Sequence, residues 1–378
     1  MRSAHAEHDE AARAAHEAAH AARRQGPVEL LGLDRPRLAA FFEALGERRF
    51  RARQLMQWMH QRHVYDFDRM TDLSKALRQR LSKSARITLP EVIADQQASD
   101  GTRKWVVRLA DLNCVEMVYI PEPKRGTLCV SPQVGCPMGC TFCATGDVGF
   151  SRNLSAAEIV AQAHLAQQCL PEGAITNIVF MGMGEPLLNF DPVISAARVF
   201  TDDYGFVLSK RRVTISTSGI VHAVERMRRV TEVSLAVSLH APNNELRTRL
   251  VPLNRKNPLE RLLPACHAYI QDKPHRRITW EYVMLDGVND QDEHAHELVL
   301  RLQGIPSKVN LIPFNPYPGA RYDRSPDERI RRFADLLLER GVTATVRETR
   351  GNDIDGACGQ LVGEIHNAQP SKVARSAS

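Results

Sequence analysis

The sequence predicts an α/β fold built around an incomplete (β/α) barrel, and three observations carry that expectation. Strand-like and helix-like runs alternate from about residue 127 to residue 348. The strand-like runs are apolar almost throughout, as parallel strands covered on both faces are. Six or seven such units follow one another, which suits a barrel arc better than a doubly wound sheet. The 378 residues leave room for a large core and a smaller accessory domain in front of it.

Residues 1–26 are rich in Ala and His and read as a disordered or helical tail. His5, His8, His16 and His20 fit low-complexity sequence better than a metal site. Residues 27–120 form the expected accessory domain. Asp34 can cap one helix, RFRARQLMQWMHQR reads as a second and DLSKALRQRLSK as a third. Arg48, Arg49, Arg51, Arg53, Lys75, Arg78 and Arg80 make this part cationic, which is either a solvated helical face or a surface for a polyanion. EVIADQQAS and TRKWVVRLA flank the turn signal Asp100-Gly101, and CVEMVYIP follows as a third strand. On alternation alone Glu116 is an outward residue of that strand.

The core is expected over residues 121–355, with strands TLCVS, TNIVFM, RVTIST, EVSLAVSL, ITWEYVM, KVNLIPF and VTATVRE. Between them, Ser155 with Glu158 makes a capping box, as does Ser325 with Glu328, where Pro326 takes the first helical position. Asp191-Pro192 opens another helix, and Gly341 closes the one begun at Ser325. Residues 356–378 form a C-terminal segment. In such a barrel, function gathers on the loops after the strands.

Composition narrows the function classes. A charge of +6 leans towards a polyanionic partner, with weak weight. No apolar run approaches the ~18 residues that cross a bilayer, so no membrane association is expected. The N-terminal stretch has no apolar core and carries Glu7, Asp9, Glu10 and Glu17, unlike a secretory signal. Eight cysteines without an export signal read as reduced thiols or metal ligands in a cytoplasmic protein.

The strongest chemical signal is GCPMGCTFC, directly after the first core strand, with Cys136, Cys140 and Cys143 spaced C-x3-C-x2-C. Three thiolates on one short loop can converge on an iron–sulfur cluster. A structural zinc generally takes four protein ligands, and no fourth Cys or His lies nearby. A [4Fe–4S] cluster held by three cysteines leaves one iron open, and S-adenosylmethionine can chelate it there and be cleaved to a radical. Further polar groups end successive strands: Gly184 and Glu185 in GMGEP, Ser216 in STSG, Ser238, Leu239 and His240 after the fourth strand, and Asn315 in PFNPYPG. Singly each is a turn, a cap or a satisfied histidine. Together they make a polar ring on one barrel face around the cysteine loop. Cys358 sits in a glycine-rich loop after the last strand and Cys129 in the first strand. Spacing alone does not separate these two from Cys114, Cys169 and Cys266, which look like small hydrophobes.

From about Val28 to Gly363 the sequence closely resembles the radical S-adenosylmethionine RNA adenine methyltransferases of the RlmN/Cfr type. FRARQLMQW, MTDLSKALR, SDGTRKW, VEMVYIP, TLCVSPQVGC, RNLSAAEIV, ITNIVFMGMGEPLLN, LSKRRVTISTSG, SLHAPNNELR, EYVMLDGVND, NLIPFNPYPG and RGNDIDGACGQL carry the resemblance. It implies a partial (β/α)6 barrel with an RNA-facing N-terminal domain. Cys136, Cys140 and Cys143 would hold one [4Fe–4S] cluster per chain. Gly184, Glu185, Ser216, Ser238, Leu239, His240 and Asn315 would contact S-adenosylmethionine, two molecules of which are used per turnover. Cys358 would carry the methyl group, Cys129 would resolve the adduct through a transient disulfide, and Glu116 would accept a proton. The implied substrates are large-subunit ribosomal RNA and tRNA, with a reductant for the cluster and the disulfide, acting on a cytoplasmic monomer. CATGDVGF resembles the C8-methylating Cfr branch as much as the RlmN branch, whereas MGMGEPLLN and LSKRRVT favour C2 chemistry.

Overall fold

The computed structural model describes residues 26–273 and 275–363. The Ala/His-rich segment, apart from Gly26, and the chain beyond residue 363 lie outside the described residues. The chain forms two compact units. One comprises the chain up to Pro90 with Leu154–Leu170 and Asp191–Ser209, and the other Glu91–Asn153, Pro171–Phe190 and the chain from Lys210.

In the first unit, the two-residue strands β1 (Val28–Glu29) and β2 (Ala85–Arg86) pair in parallel. The helix Arg35–Ala44 starts where Asp34 accepts a hydrogen bond from the Arg37 amide at 3.1 Å, as its sequence predicts. The run from Arg51 is α-helical to Met56 and then widens into a π-helix over Gln57–Gln61. Ser74 caps Lys75–Ser84 by accepting from the Leu77 amide. Leu38 and Phe42, Leu55 and Met59, and Leu77 and Leu81 stand four residues apart, so each helix turns one apolar stripe into a common core. A buried polar chain crosses this unit. His60 Nδ1 lies 3.0 Å from His164 Nε2, and His164 Nδ1 lies 3.1 Å from the Tyr65 hydroxyl. The Ser155–Glu158 capping box is present in both directions.

The second unit is organised by one ten-stranded sheet. Its strands are β3 (Glu91–Gln97), β4 (Arg103–Arg108), β5 (Cys114–Glu122), β6 (Arg125–Cys129), β9 (Asn177–Phe180), β10 (Val213–Thr217), β11 (Ser234–Ser238), β12 (Ile278–Met284), β13 (Ser307–Pro313) and β14 (Thr343–Val346). The order across the sheet is β14-β13-β12-β11-β10-β9-β6-β5-β4-β3. From β6 to β14 every pairing is parallel, so the seven apolar runs read from the sequence are the seven parallel strands. β3 to β6 pair antiparallel and extend that sheet. The Asp100-Gly101 turn closes the first hairpin, with Gly101 at φ +82°. A small ribbon of β7 (Gln133–Gly135) and β8 (Phe150–Asn153) stands apart from the sheet.

Two local expectations are corrected. Glu116 does not face outward: β5 is buried on both faces from Cys114 to Tyr119. Its carboxylate lies 3.8 Å from Lys104 Nζ and accepts from the Val362 amide. Alternation fails there because the C-terminal segment covers what would have been the exposed face. The second capping box is also absent. The helix Asp327–Glu339 has Pro326 at its N-cap with no side-chain cap, because the Ser325 hydroxyl donates to Asp290 instead, at 2.9 Å. Its far end is as expected, with Gly341 at φ +78° and its amide bonded to the Leu338 carbonyl. The helix read from Asp191-Pro192 begins one residue earlier, at Phe190.

Candidate functional site

The cysteine loop leaves β7 and returns through β8. Gly135 and Gly139 adopt φ +71° and +64°, which lets the loop fold back within a few residues. The Cys136 amide donates to the Gly149 carbonyl at 2.7 Å and the Cys143 amide to the Cys140 carbonyl at 3.2 Å. Cys136, Cys140 and Cys143 all line one cavity. Burial, then the charge of neighbouring thiolates, pushes the Cys136 and Cys140 thiols above their ordinary range, and burial raises Cys143. Among the described residues no three His, Cys, Asp or Glu side chains stand close enough to share a single metal ion. Three thiols of one loop facing a shared cavity are a donor set that would hold an iron–sulfur cluster, whose cationic metal would offset the penalty of ionising buried thiols.

The opposite walls are the carboxyl ends of the parallel strands, where Gly184, Ser216, Ser238 and Asn315 open into the same cavity. Gly184 has φ +109°, and a Cβ there would lie 2.5 Å from Gln133 Cβ, so the backbone passes too close for any side chain. Glu185 is buried and accepts from the Leu187 amide, the Ser218 amide and the Ser218 hydroxyl at 3.0, 2.7 and 2.6 Å. Those bonds hold the carboxylate still and leave room for one further donor, such as an ammonium group in the cavity. Burial raises the Glu185 pKa, opposed by the Ser218 bonds.

His240 adopts φ +59°, uncommon for a residue with a Cβ. Its Nδ1 accepts from the Val283 amide at 3.0 Å, which puts the ring proton on Nε2. Burial, then the nearby Arg247, lowers its pKa to about 3, so the ring is a neutral donor. Phe142 of the cysteine loop meets it edge-on, with ring centres 4.6 Å apart. Leu239 is not on the cavity wall. Its amide donates to the Glu281 carbonyl and its carbonyl accepts from Arg247.

Arg247, buried without any exposed surface, was not singled out from the sequence. Its guanidinium donates to the carbonyls of Leu239, Ser218 and Ser238 and to Asn254 Oδ1, at 3.1, 2.7, 3.1 and 2.8 Å. It therefore ties together the loops after β10 and β11 beneath the cavity. Nothing in NNELRTRL separates this arginine from Arg249, which is why pattern reading passes over it.

Cys358 lines the cavity too, carried by a segment hydrogen-bonded to the cysteine loop. The Ala144 amide donates to the Gly359 carbonyl at 2.8 Å, and the Thr145 hydroxyl donates to the Leu361 carbonyl. Asn315 Nδ2 donates to the Cys358 carbonyl at 3.4 Å. Cys129 lies behind the wall, buried; burial and then the nearby Cys358 push its thiol up to about 12. Glu116 is likewise off the wall, and burial raises its pKa against the pull of Lys104. Two further charged residues complete the cavity, Glu281 and Arg347. Glu281 accepts from Asn310 at 2.7 Å. Arg347 has its positive charge favoured first by Cys358 and also by Glu281 and Cys129. A charged residue inside the apolar run ITWEYVM was the available signal for Glu281.

Comparison with known proteins agrees with this geometry. The family model described as the ribosomal RNA large subunit methyltransferase N-terminal domain matches residues 28–87, and that of the radical SAM superfamily matches residues 130–299. The dual-specificity RNA methyltransferase RlmN of Halorhodospira halophila is 85% identical over 358 residues, covering 95% of this chain and 100% of that protein. The protein of the same name from Alkalilimnicola ehrlichii is 62% identical, over 90% of this chain and 95% of its own length. Among solved structures, a radical SAM methyltransferase from Sphaerobacter thermophilus superposes with a TM-score of 0.82 at 45% identity, covering 89% of this chain and 99% of that one.

Proposed function

The chain belongs to the RlmN family of dual-specificity RNA methyltransferases, within the radical SAM superfamily, and from that premise we propose that it methylates C2 of adenosine. The substrates in this reading are large-subunit ribosomal RNA, at the peptidyl-transferase centre, and tRNA beside the anticodon. The observation that carries the reading is that Cys358 and the three loop cysteines open into one cavity, on segments hydrogen-bonded to each other.

When bound, the [4Fe–4S] cluster and S-adenosylmethionine supply an electron, a methyl group and a carbon radical. In this assignment the chain's own groups do the rest. Cys136, Cys140 and Cys143 hold the metal. Glu185, Ser216, Ser238, His240, Asn315 and the Gly184 backbone hold the sulfonium compound, with Leu239 fixing the strand end through its amide and carbonyl. Cys358 carries the methyl carbon to an adenine that has left its stack to reach the cavity. Direct displacement cannot serve here, because C2 is an electron-poor amidine carbon. Glu116, off the cavity wall but bonded to the Val362 amide of the segment that carries Cys358, is the carboxylate we assign to accept the C2 proton. The Cys129 thiol then loses its proton and its sulfur bonds to the Cys358 sulfur. The bond from Cys358 to carbon breaks with its electron pair staying on the carbon, which takes a proton to become the methyl group, and a cellular reductant returns the disulfide to two thiols. No helix among the described residues is long and apolar enough to cross a membrane, and we place the enzyme in the cytoplasm, acting as a monomer.

The test is the nucleoside product from ribosomal RNA and from tRNA treated with anaerobically reconstituted protein. Mass spectrometry should find 2-methyladenosine in both. Recovery of 8-methyladenosine without the 2-methyl isomer would overturn the assignment in favour of Cfr-type chemistry.

A further inference from the structure

The amino ends of β10, β11 and β12 lie opposite the cavity. The five residues of β10 and of β11 put these ends roughly 16 Å from the carboxyl ends at about 3.3 Å per residue. Eight cations gather there, and several of them are tied by interactions that cross between the three strands. Lys210, Arg211 and Arg212 precede β10, Arg228 and Arg229 end the helix Val221–Val230, and Lys273, Arg276 and Arg277 precede β12. The Ser234 hydroxyl donates to the Arg211 carbonyl and accepts from Arg276, at 3.2 and 3.3 Å. Lys273 Nζ donates to the Thr231 carbonyl at 3.4 Å and lies over the Tyr269 ring. Two carboxylates stand among these cations: Glu232 pairs with Lys210, and Asp272 pairs with Arg228. Arg228 and Arg229 also line a groove shared with Arg261 and the carboxylate of Glu225, between the helices Val221–Val230 and Leu259–Gln271.

Like charges held this closely repel unless something neutralises them. Burial lowers the Lys273 pKa to about 8, with Arg276 and Arg228 acting the same way against the opposing pull of Glu232 and Asp272; burial, and then Arg211, lowers that of Arg276. Glu232 and Asp272 pair with two of the eight cations, and the excess positive charge is a demand for anions that solvent counterions or a bound polyanion can meet. The exposed side chains of Arg211, Arg212, Arg229 and Arg277 point that demand towards solvent. A polyanion with regularly repeated charges meets it better than a single small anion does.

We propose that this basic end of the sheet is a second RNA-docking surface that grips the phosphate backbone of substrate segments remote from the target adenine. The inference rests on the reading that the chain acts on RNA, and it adds a surface that the cavity and the N-terminal domain do not supply. Because target and patch lie at opposite ends of the strands, an RNA touches both only if it extends well beyond the target loop. Short and long substrates should therefore depend on the patch to different degrees.

The experiment compares wild type with the triple variant Arg211→Gln, Arg212→Gln, Arg229→Gln, in the anaerobic cluster-loaded protein, at several salt concentrations. The two probes are a short stem-loop bearing the target adenine and a multi-helix ribosomal RNA fragment containing that stem-loop. The variant should bind the long fragment at least about tenfold more weakly, with the salt slope reduced by about 2 to 3, since each lost phosphate contact removes nearly one unit. Its affinity for the stem-loop should stay within about twofold of wild type, which also shows that it is folded and that its target site is intact. Unchanged affinity for the long fragment overturns the proposal. So does an equal loss on both RNAs, because the patch would then not be remote from the target. A wild-type protein that binds neither RNA overturns the functional reading itself, and is thereby distinguished from failure of the patch alone.

Discussion

Replacing Arg247 by Met tests whether one buried guanidinium holds the floor of the cavity. The side chain has no exposed surface and makes four hydrogen bonds, three of them to main-chain carbonyls of the loops after β10 and β11. Hydrogen bonds from a charged donor contribute about 1.5–3 kcal/mol each, and the desolvation of the charge offsets several kcal/mol of that sum. Removing one side of such a buried network leaves the carbonyls of Leu239, Ser218 and Ser238 without these donors, for a net loss of about 3–5 kcal/mol. Space is not the obstacle, since Met follows much of the arginine stem. Lysine is no remedy, because one ammonium group cannot span four acceptors that a planar fork reaches. The assay is equilibrium urea unfolding, read as a midpoint shift at constant slope. Affinity for S-adenosylmethionine by calorimetry serves as a second readout, because the loops being tied carry Ser218 and Ser238. Arg247→Met should lose both stability and at least about tenfold in affinity, and Arg247→Lys should recover less than half. A Met variant within about 1 kcal/mol of wild type would refute the reasoning.

Three further outcomes are expected. Gly184→Ala should bind S-adenosylmethionine poorly while folding, because the added Cβ meets Gln133 at a backbone φ that alanine rarely adopts; wild-type affinity would contradict the close-approach argument. Burial lowers His60 to about 3 and His164 well below the ordinary value, so the unfolded chain binds their protons first. Stability should be complete above about pH 6.5 and decline by up to about 1.4 kcal/mol per pH unit for each histidine as pH falls towards the folded values. A denaturation midpoint unchanged between neutral pH and pH 5 would count against this account of the histidine pair. Cys358→Ala should abolish methylated nucleoside by mass spectrometry, and Cys129→Ala should trap protein covalently joined to RNA on a denaturing gel; full turnover by either variant would exclude its assigned role.

The seven parallel strands were legible because continuous apolar runs of that length have few alternatives once helix caps separate them. The cysteine loop was legible because three thiols so close in sequence rarely serve packing alone. Glu116 was misread for a physical reason: alternation reports local exposure, but the face it occupies is covered by residues almost 250 positions away. Ser325 was misread because its hydroxyl had a better acceptor in Asp290 than a backbone amide at its own helix start. Arg247 and Arg347 were passed over for a related reason. A lone arginine in a short helix, like Arg247, or just past a strand, like Arg347, carries no periodic signal, and only the three-dimensional convergence of carbonyls or thiols gives it a task.

The hydrogen bonds joining the cysteine loop to the Cys358 segment also impose an order in time. Thr145 and the Leu361 carbonyl it bonds are 216 residues apart. A nascent chain growing at about 5–20 residues per second therefore presents the loop for roughly 10–40 s before its cover has been made. During that interval Ala144 and Thr145 lack the partners that later seal them, and the three thiols are at their most accessible to whatever delivers iron and sulfide.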